Sequence, residues 1–341
     1  MAMARMLWLR KSVVIPAILI LITLIVGALG KAGAISSLRV SQTMDIMRLV
    51  GLSLAMAVIM SYTGYVSFGH SMFIGLGGYA AAYIVAGLHA GRIQALVEAY
   101  GRIPTGYLVT LIAESVVLAV ILSIIVAALI GLPVLRLRGA FFAIATIGLN
   151  FVLLNIVKVA LKGITQYGEE VAFPNMGLGT LDFYWIYFAF FTATVVVAYI
   201  VRVSKFGFGL AAIREDEDAA EVMGVNTLAY KVTAFSIAGA LASIWGVADA
   251  FRTSYSADVY FNLGHSIIMI LSNAIGGLGT FTGPVVGALI YYPINWYTQT
   301  LAAQLALVIM GVLIVLVVDF FPTGVVGIIR SKIPKLREYL E

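Results

Sequence analysis

Residues 105–133 read TGYLVTLIAESVVLAVILSIIVAALIGLP, and Glu114 is the only charged side chain in this stretch. Similar apolar blocks of about twenty residues recur along the 341-residue chain, whose mean hydropathy is +1.05. A water-soluble core could not bury so much apolar surface, whereas an apolar helix of about 20 residues spans a bilayer. The blocks are continuous and do not alternate, which favours helices over β-barrel strands, because a helix satisfies its own backbone hydrogen bonds. The sequence therefore predicts an all-α, polytopic integral membrane bundle.

Ten blocks are apolar enough to enter the membrane. They lie near residues 13–30, 46–65, 70–88, 105–133, 140–160, 183–201, 231–250, 262–276, 283–298 and 302–320. The first block follows a basic start and could be a signal peptide, but its run of about 18 apolar residues exceeds the roughly 7–15 of a cleaved signal. We therefore interpret it as a retained span. Ten crossings place both termini on the same side of the membrane.

Lysine and arginine are distributed unevenly between the two sides that ten crossings define. Cationic loops mark the cytoplasmic side, so both termini are predicted to be cytoplasmic. The net charge of +5 and the pI of 9.3 then reflect loops that face anionic lipid, and no nucleic-acid role is predicted. Thirteen of the 21 cationic residues fall on the side of the termini: Arg5, Arg10, Lys11, Arg136, Arg138, Arg202, Lys205, Arg214, Lys231, Arg330, Lys332, Lys335 and Arg337.

Several classes of chemistry have no motif in this sequence. The absence of cysteine excludes disulfides and thiolate metal sites, and with three histidines neither a metal nor a cofactor is expected. There is no phosphate-binding Gly-x-x-x-x-Gly-Lys-Ser/Thr loop, no Gly-x-Ser-x-Gly nucleophile elbow and no His-Glu-x-x-His zinc motif. The chain is therefore not expected to be an enzyme, and if transport consumes ATP, another chain hydrolyses it.

The largest predicted cytoplasmic loop, residues 202–231, concentrates acidic residues. Five of the sixteen in the chain lie at Glu215, Asp216, Glu217, Asp218 and Glu221, beside Arg214. Acidic residues favour the first turns of a helix, so this segment predicts a short helix, and Gly224 predicts where the helix ends. A helix of about 12 residues is marginal alone in water, so a partner protein is expected to hold it. A solvated charged loop is the alternative.

Two glycine-rich stretches interrupt predicted spans. They read GYVSFGHSMFIGLGGY at residues 64–79 and LGHSIIMILSNAIGGLGTFTGP at residues 263–284. Both contain Gly-His-Ser, and the predicted topology gives the two copies opposite orientations, as in the inverted repeats of transport folds. Glycines that serve only close helix packing are the alternative.

Polar and ionisable residues within the spans are candidates for a solute pathway. An asparagine or serine that binds a neighbouring helix is the alternative at each position. There is no ladder of acids that would form a proton or sodium relay. The candidates are Gly69, His70, Ser71, Glu114, Asn150, Ser272 and Asn273.

Five stretches occur in an order that resembles one known family. They are VSFGHSMFIGLGGYAAA (66–82), LRLRGAFFAIATIGLN (135–150), AIREDEDAAEVMGVNTLAYK (212–231), GGLGTFTGPVVGA (276–288) and FPTGVVG (321–327). Together they resemble the permeases of branched-chain amino acid ABC importers, specifically the LivM-type subunit. In that family the segment that matches residues 207–226 is a coupling element that docks on the ATPase. The family commonly has arginine where this chain has Phe208 and Ala211, which makes the implied docking surface less cationic.

This resemblance implies a single permease domain over residues 1–341 in a prokaryotic inner or plasma membrane. It implies a paralogous permease, two ABC ATPase subunits, an extracytoplasmic solute-binding protein and membrane lipid as partners, and branched-chain or other small amino acids as solutes. Similar permeases carry urea, short amides, sugars or nucleosides, and an ion-coupled secondary transporter is the alternative from another class. The coupling residues implied are Ile213, Arg214, Glu215, Asp216, Glu217, Asp218, Ala220, Glu221, Met223 and Gly224.

Overall fold

The computed structural model describes residues 13–163, 170–174 and 176–302, together with positions 305, 308–309, 311–312, 315–316, 319 and 323–333. The helices with described bounds are α1 (Val14–Lys31), α2 (Ser37–Thr63), α3 (Ser71–Ala82), α4 (Ala90–Tyr100), α5 (Thr105–Val134), α6 (Ala140–Lys162), α7 (Thr180–Val203), α8 (Lys205–Glu215), α9 (Glu217–Val222), α10 (Thr227–Thr253), α11 (Ala257–Tyr260), α12 (Leu263–Gly276), α13 (Thr282–Ala302) and α14 (Gly324–Lys332). A π-helical segment, Tyr83–Leu88, continues α3. The strands β1 (Glu170–Val171) and β2 (Tyr255–Ser256) pair antiparallel.

Eight helical segments of the described chain are long and apolar enough to cross a membrane. They are α1, α2, α5, α6, α7 and α10, α3 with its π-helical continuation, and Ala257–Gly276, which contains α11 and α12. These segments coincide with the first eight predicted blocks, which confirms the all-α polytopic membrane class. Helix α13 covers the ninth block, while most of the tenth, near 302–320, lies outside the described residues and stays a prediction.

Helix α12 is short for a segment that enters a membrane. Its 14 residues give a length of about 21 Å at 1.5 Å per residue, which is less than the roughly 30 Å of a hydrocarbon core. The side chain of Asn262 accepts a hydrogen bond from the backbone N–H of Gly264 at 2.7 Å, where the helix begins. Helix α12 ends at Gly276 and α13 begins at Thr282, so the helix is broken within the glycine-rich residues 263–284.

The described residues form two compact units. The first takes its residues from 1–65, 191–230 and 267–341, and the second from 66–190 and 231–266. Each unit therefore combines segments that are distant in sequence. The single permease domain over residues 1–341 stays a prediction.

In the second unit, α3 packs against α5 and α6, and glycines bring it close to α10. A Cβ atom at Gly77 would overlap the carbonyl oxygen of Ser243, and a Cβ atom at Gly246 would overlap that of Ile74. Helices in lipid associate through close van der Waals packing, which small residues permit. Close packing is therefore one role of the glycines in residues 64–79.

The second unit also buries a lysine. The Nζ atom of Lys231 donates to the carbonyl oxygen of Leu135 at 2.7 Å, and the residue is 2% exposed. Leu135 caps the end of α5, where a cation stabilises the carbonyl end of the helix dipole. The bond joins the end of α5 to the beginning of α10, two ends that the ten-span topology places on the same side.

In the first unit, α2 packs against α13 and α8, and glycine backbones meet directly at the turn between α12 and α13. A Cβ atom at Gly276 would overlap the carbonyl oxygen of Gly283, and a Cβ atom at Gly324 would overlap the Cα of Gly277. We call residues 277–283 the glycine turn. Side chains at Gly276, Gly283 and Gly324 would overlap the backbone in and beside this turn.

Candidate functional site

The acidic segment forms two helices where the sequence suggests one. Helix α8 ends at Glu215 and α9 begins at Glu217, because Asp216 adopts an extended backbone with φ −158° and ψ 112°. Its Oδ1 atom accepts a hydrogen bond from the backbone N–H of Ala219 at 2.9 Å, the geometry of an N-cap. Glu217 and Asp218 then occupy the first turn of α9, where the helix dipole favours anions. The predicted stop is present, since Gly224 follows α9 with φ +90°.

The predicted coupling residues divide into an inward and an outward set. Ile213 and Ala220 are buried, at 3% and 5% exposure, and pack within this chain. Val222 and Met223 are 87% and 83% exposed. Glu215, Asp216, Asp218, Glu221 and Gly224 are also exposed. We call Glu215, Asp218, Glu221, Val222 and Met223 the docking surface.

Two of the predicted coupling residues, Arg214 and Glu217, form hydrogen bonds with other residues of this chain. The Arg214 side chain is 29% exposed, and its Nη1 atom donates to the carbonyl oxygen of Ser61 at 3.2 Å. Its Nη2 atom lies 2.7 Å from the Glu215 Oε1 atom. The hydroxyl of Tyr65 donates to Glu217 Oε2 at 2.5 Å. These bonds connect the α8–α9 region to the C-terminal end of α2.

In the second unit the two Gly-His-Ser motifs meet. The backbone N–H of Ser71 donates to Ser266 Oγ at 2.8 Å, and Ser71 Oγ donates to Asn150 Oδ1 at 3.1 Å. The Asn150 amide in turn donates to the carbonyl oxygen of Phe261 at 2.8 Å. A Cβ atom at Gly69 would overlap the carbonyl oxygen of Thr146. Three predicted pathway residues, Gly69, Ser71 and Asn150, are thus held by contacts within this chain.

His70 differs from its neighbours. It is fully buried, and its ring lies edge-on to Phe73 at a centroid distance of 5.2 Å. Within the described part of the chain, neither ring nitrogen nor the buried Ser67 hydroxyl has a hydrogen-bond partner. The backbone of Ala238 lies close to the ring. His70 therefore keeps hydrogen-bonding capacity that its surroundings leave unused.

Of the two pathway candidates in the first unit, Asn273 forms hydrogen bonds between helices and Ser272 does not. The Asn273 amide donates to the carbonyl oxygen of Ser53 at 3.0 Å, and the Ser61 hydroxyl donates to Asn273 Oδ1 at 2.8 Å. Ser272 donates to the carbonyl oxygen of Ile268 within its own helix. Asn273 thus ties α12 to α2.

Glu114 has a partner that the sequence analysis missed. Its Oε2 atom lies 2.8 Å from His89 Nε2, and the Tyr107 hydroxyl lies 2.7 Å from His89 Nδ1. The Glu114 side chain is 40% exposed. The sequence contains a hint of this pair, because the titratable side chain of His89 directly follows the predicted span 70–88, and Glu114 lies in the next span. No group of three or more acidic or histidine side chains that could hold a metal occurs among the described residues.

Comparison with known proteins gives a consistent result. A family model described as "Branched-chain amino acid transport system / permease component" matches residues 38–318. The high-affinity branched-chain amino acid transport system permease protein LivM of Salmonella typhimurium is 26% identical in an alignment of 234 positions that covers 60% of this chain and 55% of that protein. The LivM protein of Escherichia coli is 25% identical with the same coverage.

An archaeal relative shows a similar level of likeness. The probable branched-chain amino acid transport permease protein LivM of Methanocaldococcus jannaschii is 24% identical over 62% of this chain and 67% of that protein. The chain spans 55% of the length of the two bacterial relatives that it matches. No solved structure shows significant similarity to it.

Proposed function

The chain belongs to the family of branched-chain amino acid transport permease components, and from this premise we propose that it is the membrane-spanning subunit of an ABC importer. It is a multi-pass membrane protein, as its apolar helices indicate. In the proposed importer it forms half of the translocation pathway, and ATP hydrolysis on separate chains drives transport.

The docking surface is the observation that carries the proposal. Val222 and Met223 are large apolar side chains that stay more than four-fifths exposed, in a segment too polar to enter lipid. Exposed apolar side chains next to one another, bordered by charge, are typical of a protein interface. Glu215, Asp218 and Glu221 provide that border. We propose that this surface docks on an ABC ATPase subunit.

The remaining partners follow from the proposed class. A paralogous permease completes the pathway, two ATPase subunits bind on the cytoplasmic side, and an extracytoplasmic solute-binding protein delivers the solute. The location is a prokaryotic inner or plasma membrane. The relatives are named as branched-chain amino acid transport permeases, which supports branched-chain amino acids as the solutes.

Charge and apolar variants of the docking surface test this proposal. We expect Val222→Asp with Met223→Asp to reduce co-purification of the ATPase subunits at least about tenfold, because truncating buried interface anchors typically costs about 1–2 kcal/mol or more each. Reversal of Glu215, Asp218 and Glu221 to lysine is expected to have a smaller effect, since exposed ion pairs contribute about 0.2–1 kcal/mol each.

A matched control is Tyr100→Asp, which places the same charge at a large side chain that is 69% exposed on α4, outside the docking surface and outside the membrane-spanning segments. It is expected to leave ATPase association unchanged. Wild-type association of the double variant Val222→Asp, Met223→Asp would contradict the proposed role of this surface.

A further inference from the structure

Arg214 lies against the backbone at two separate glycines of the first unit. A Cβ atom at Gly64, which caps the end of α2, would lie 3.3 Å from Arg214 Cγ. A Cβ atom at Gly279 would overlap Arg214 Nη1. The Arg214 side chain therefore lies between the end of α2 and the glycine turn, and its guanidinium occupies the space that a side chain at position 279 would need.

The polar contacts of Arg214 continue this connection into the bundle. Its Nη1 atom binds the Ser61 carbonyl, and the Ser61 hydroxyl binds Asn273 on α12. Asn273 also binds the carbonyl oxygen of Ser53. A continuous set of hydrogen bonds thus runs from α8 through α2 to α12.

Glu217 makes a second attachment one residue beyond the break between α8 and α9. Its carboxylate accepts the hydroxyl of Tyr65, which is only 9% exposed. Tyr65 directly follows Gly64 at the end of α2. The two attachments therefore flank Asp216 and hold both short helices to the same helix end.

We infer that Arg214 and Glu217 form a joint that transmits movement of the α8–α9 region to the end of α2 and to the glycine turn. This inference rests on the proposed function, since it requires an ATPase on the docking surface. Both residues are positioning residues: they act through Ser61, Tyr65 and Gly279 and not through contact with the ATPase. A rigid connection of this kind carries small displacements because packed elements shift between discrete arrangements.

Two variants of the assembled importer test the joint. Arg214→Ala removes the guanidinium, and Tyr65→Phe removes one hydroxyl while it retains the ring. The cysteine-free chain allows a single spin label on Leu278→Cys, a position in the glycine turn that is 44% exposed. We expect ATPase co-purification as in the wild type. The spectral change of the label on addition of ATP and vanadate is expected to fall at least about fivefold with Arg214→Ala and about twofold with Tyr65→Phe.

A glycine pair supplies the matched control. Gly279→Ala should reproduce the effect of Arg214→Ala, because the new methyl group displaces the guanidinium. Gly33→Ala introduces alanine at a similar left-handed backbone, φ +72° against +81°, but with nothing within 4 Å. It is expected to leave the label response unchanged, which separates the lost contact from backbone strain.

The outcomes are distinguishable. A full label response in Arg214→Ala would overturn the joint while the proposed function stands. Loss of ATPase association in Arg214→Ala would also overturn it, because Arg214 would then be a docking contact. Absence of ATPase association in the wild-type chain would overturn the proposed function and, with it, the inference that rests on it.

Discussion

His70 presents two ring nitrogens to an interior that provides no partner for them among the described residues. Leaving a buried polar group unsatisfied costs about 1–3 kcal/mol. Because the buried ring is retained at a cost in stability, we expect His70→Leu to leave the midpoint of thermal unfolding unchanged or raise it, and to reduce leucine uptake by the reconstituted importer at least about tenfold. Unfolding in detergent and radiolabelled uptake measure the two effects.

Phe73→Leu is the matched control for His70, since it changes the adjacent buried ring without removing a polar group. It is expected to lower stability by about 1 kcal/mol and to leave uptake close to wild type. A His70→Leu variant that unfolds earlier and still transports leucine would identify His70 as a packing residue.

For individual residues, the sequence shows which polar side chains lie within spans but not which groups they bind. Ser71 and Asn150 stand out as polar positions in apolar blocks, yet their partners Ser266 and Phe261 are more than a hundred residues away. Such pairings depend on how helices pack, which local composition does not encode. The contact between Glu114 and His89 could not be predicted from local composition either, although the two residues are closer in sequence.

Helix α9 has six residues, so its existence depends strongly on its cap. We expect Asp216→Ala to destabilise α9 by about 1 kcal/mol, equivalent to about a fivefold loss of amide hydrogen-exchange protection over residues 217–223. Asp216→Asn retains an oxygen acceptor and is expected to keep most of the protection. Equal protection in Asp216→Ala and the wild type would show that packing of Ala220, not the cap, maintains the helix.

Among the elements, long apolar helices were predictable and the short polar ones were not. The spans follow from hydropathy because lipid requires continuous apolar helices. The break between α8 and α9 was missed because an acidic run fits either a helical first turn or an N-cap, and only backbone geometry distinguishes them. Helix α4 and the β1–β2 pair were likewise missed, since they lie between spans where hydropathy carries little information.

For the whole molecule, the predicted ten-span topology would place residues 4 and 338 in the cytoplasm. We expect Ala4→Cys and Glu338→Cys to resist an impermeant thiol reagent in intact cells and to react after lysis, because thirteen cations mark their side of the membrane. Ala99→Cys, at an exposed position of α4 in a predicted outer loop, is the positive control. Labelling of residue 4 or 338 in intact cells would contradict the prediction that ten crossings place both termini in the cytoplasm.

The direct backbone contacts around the glycine turn also limit how this chain can evolve. Every single-base substitution that changes a glycine codon to another amino acid adds a Cβ atom, and at Gly276, Gly283 and Gly324 that atom would overlap backbone atoms of the glycine turn. Backbone cannot move aside as a flexible side chain can. We therefore expect a one-step change at any of these codons to displace the backbone between α12 and α14, whereas most other positions of the chain accept a new side chain without such a shift.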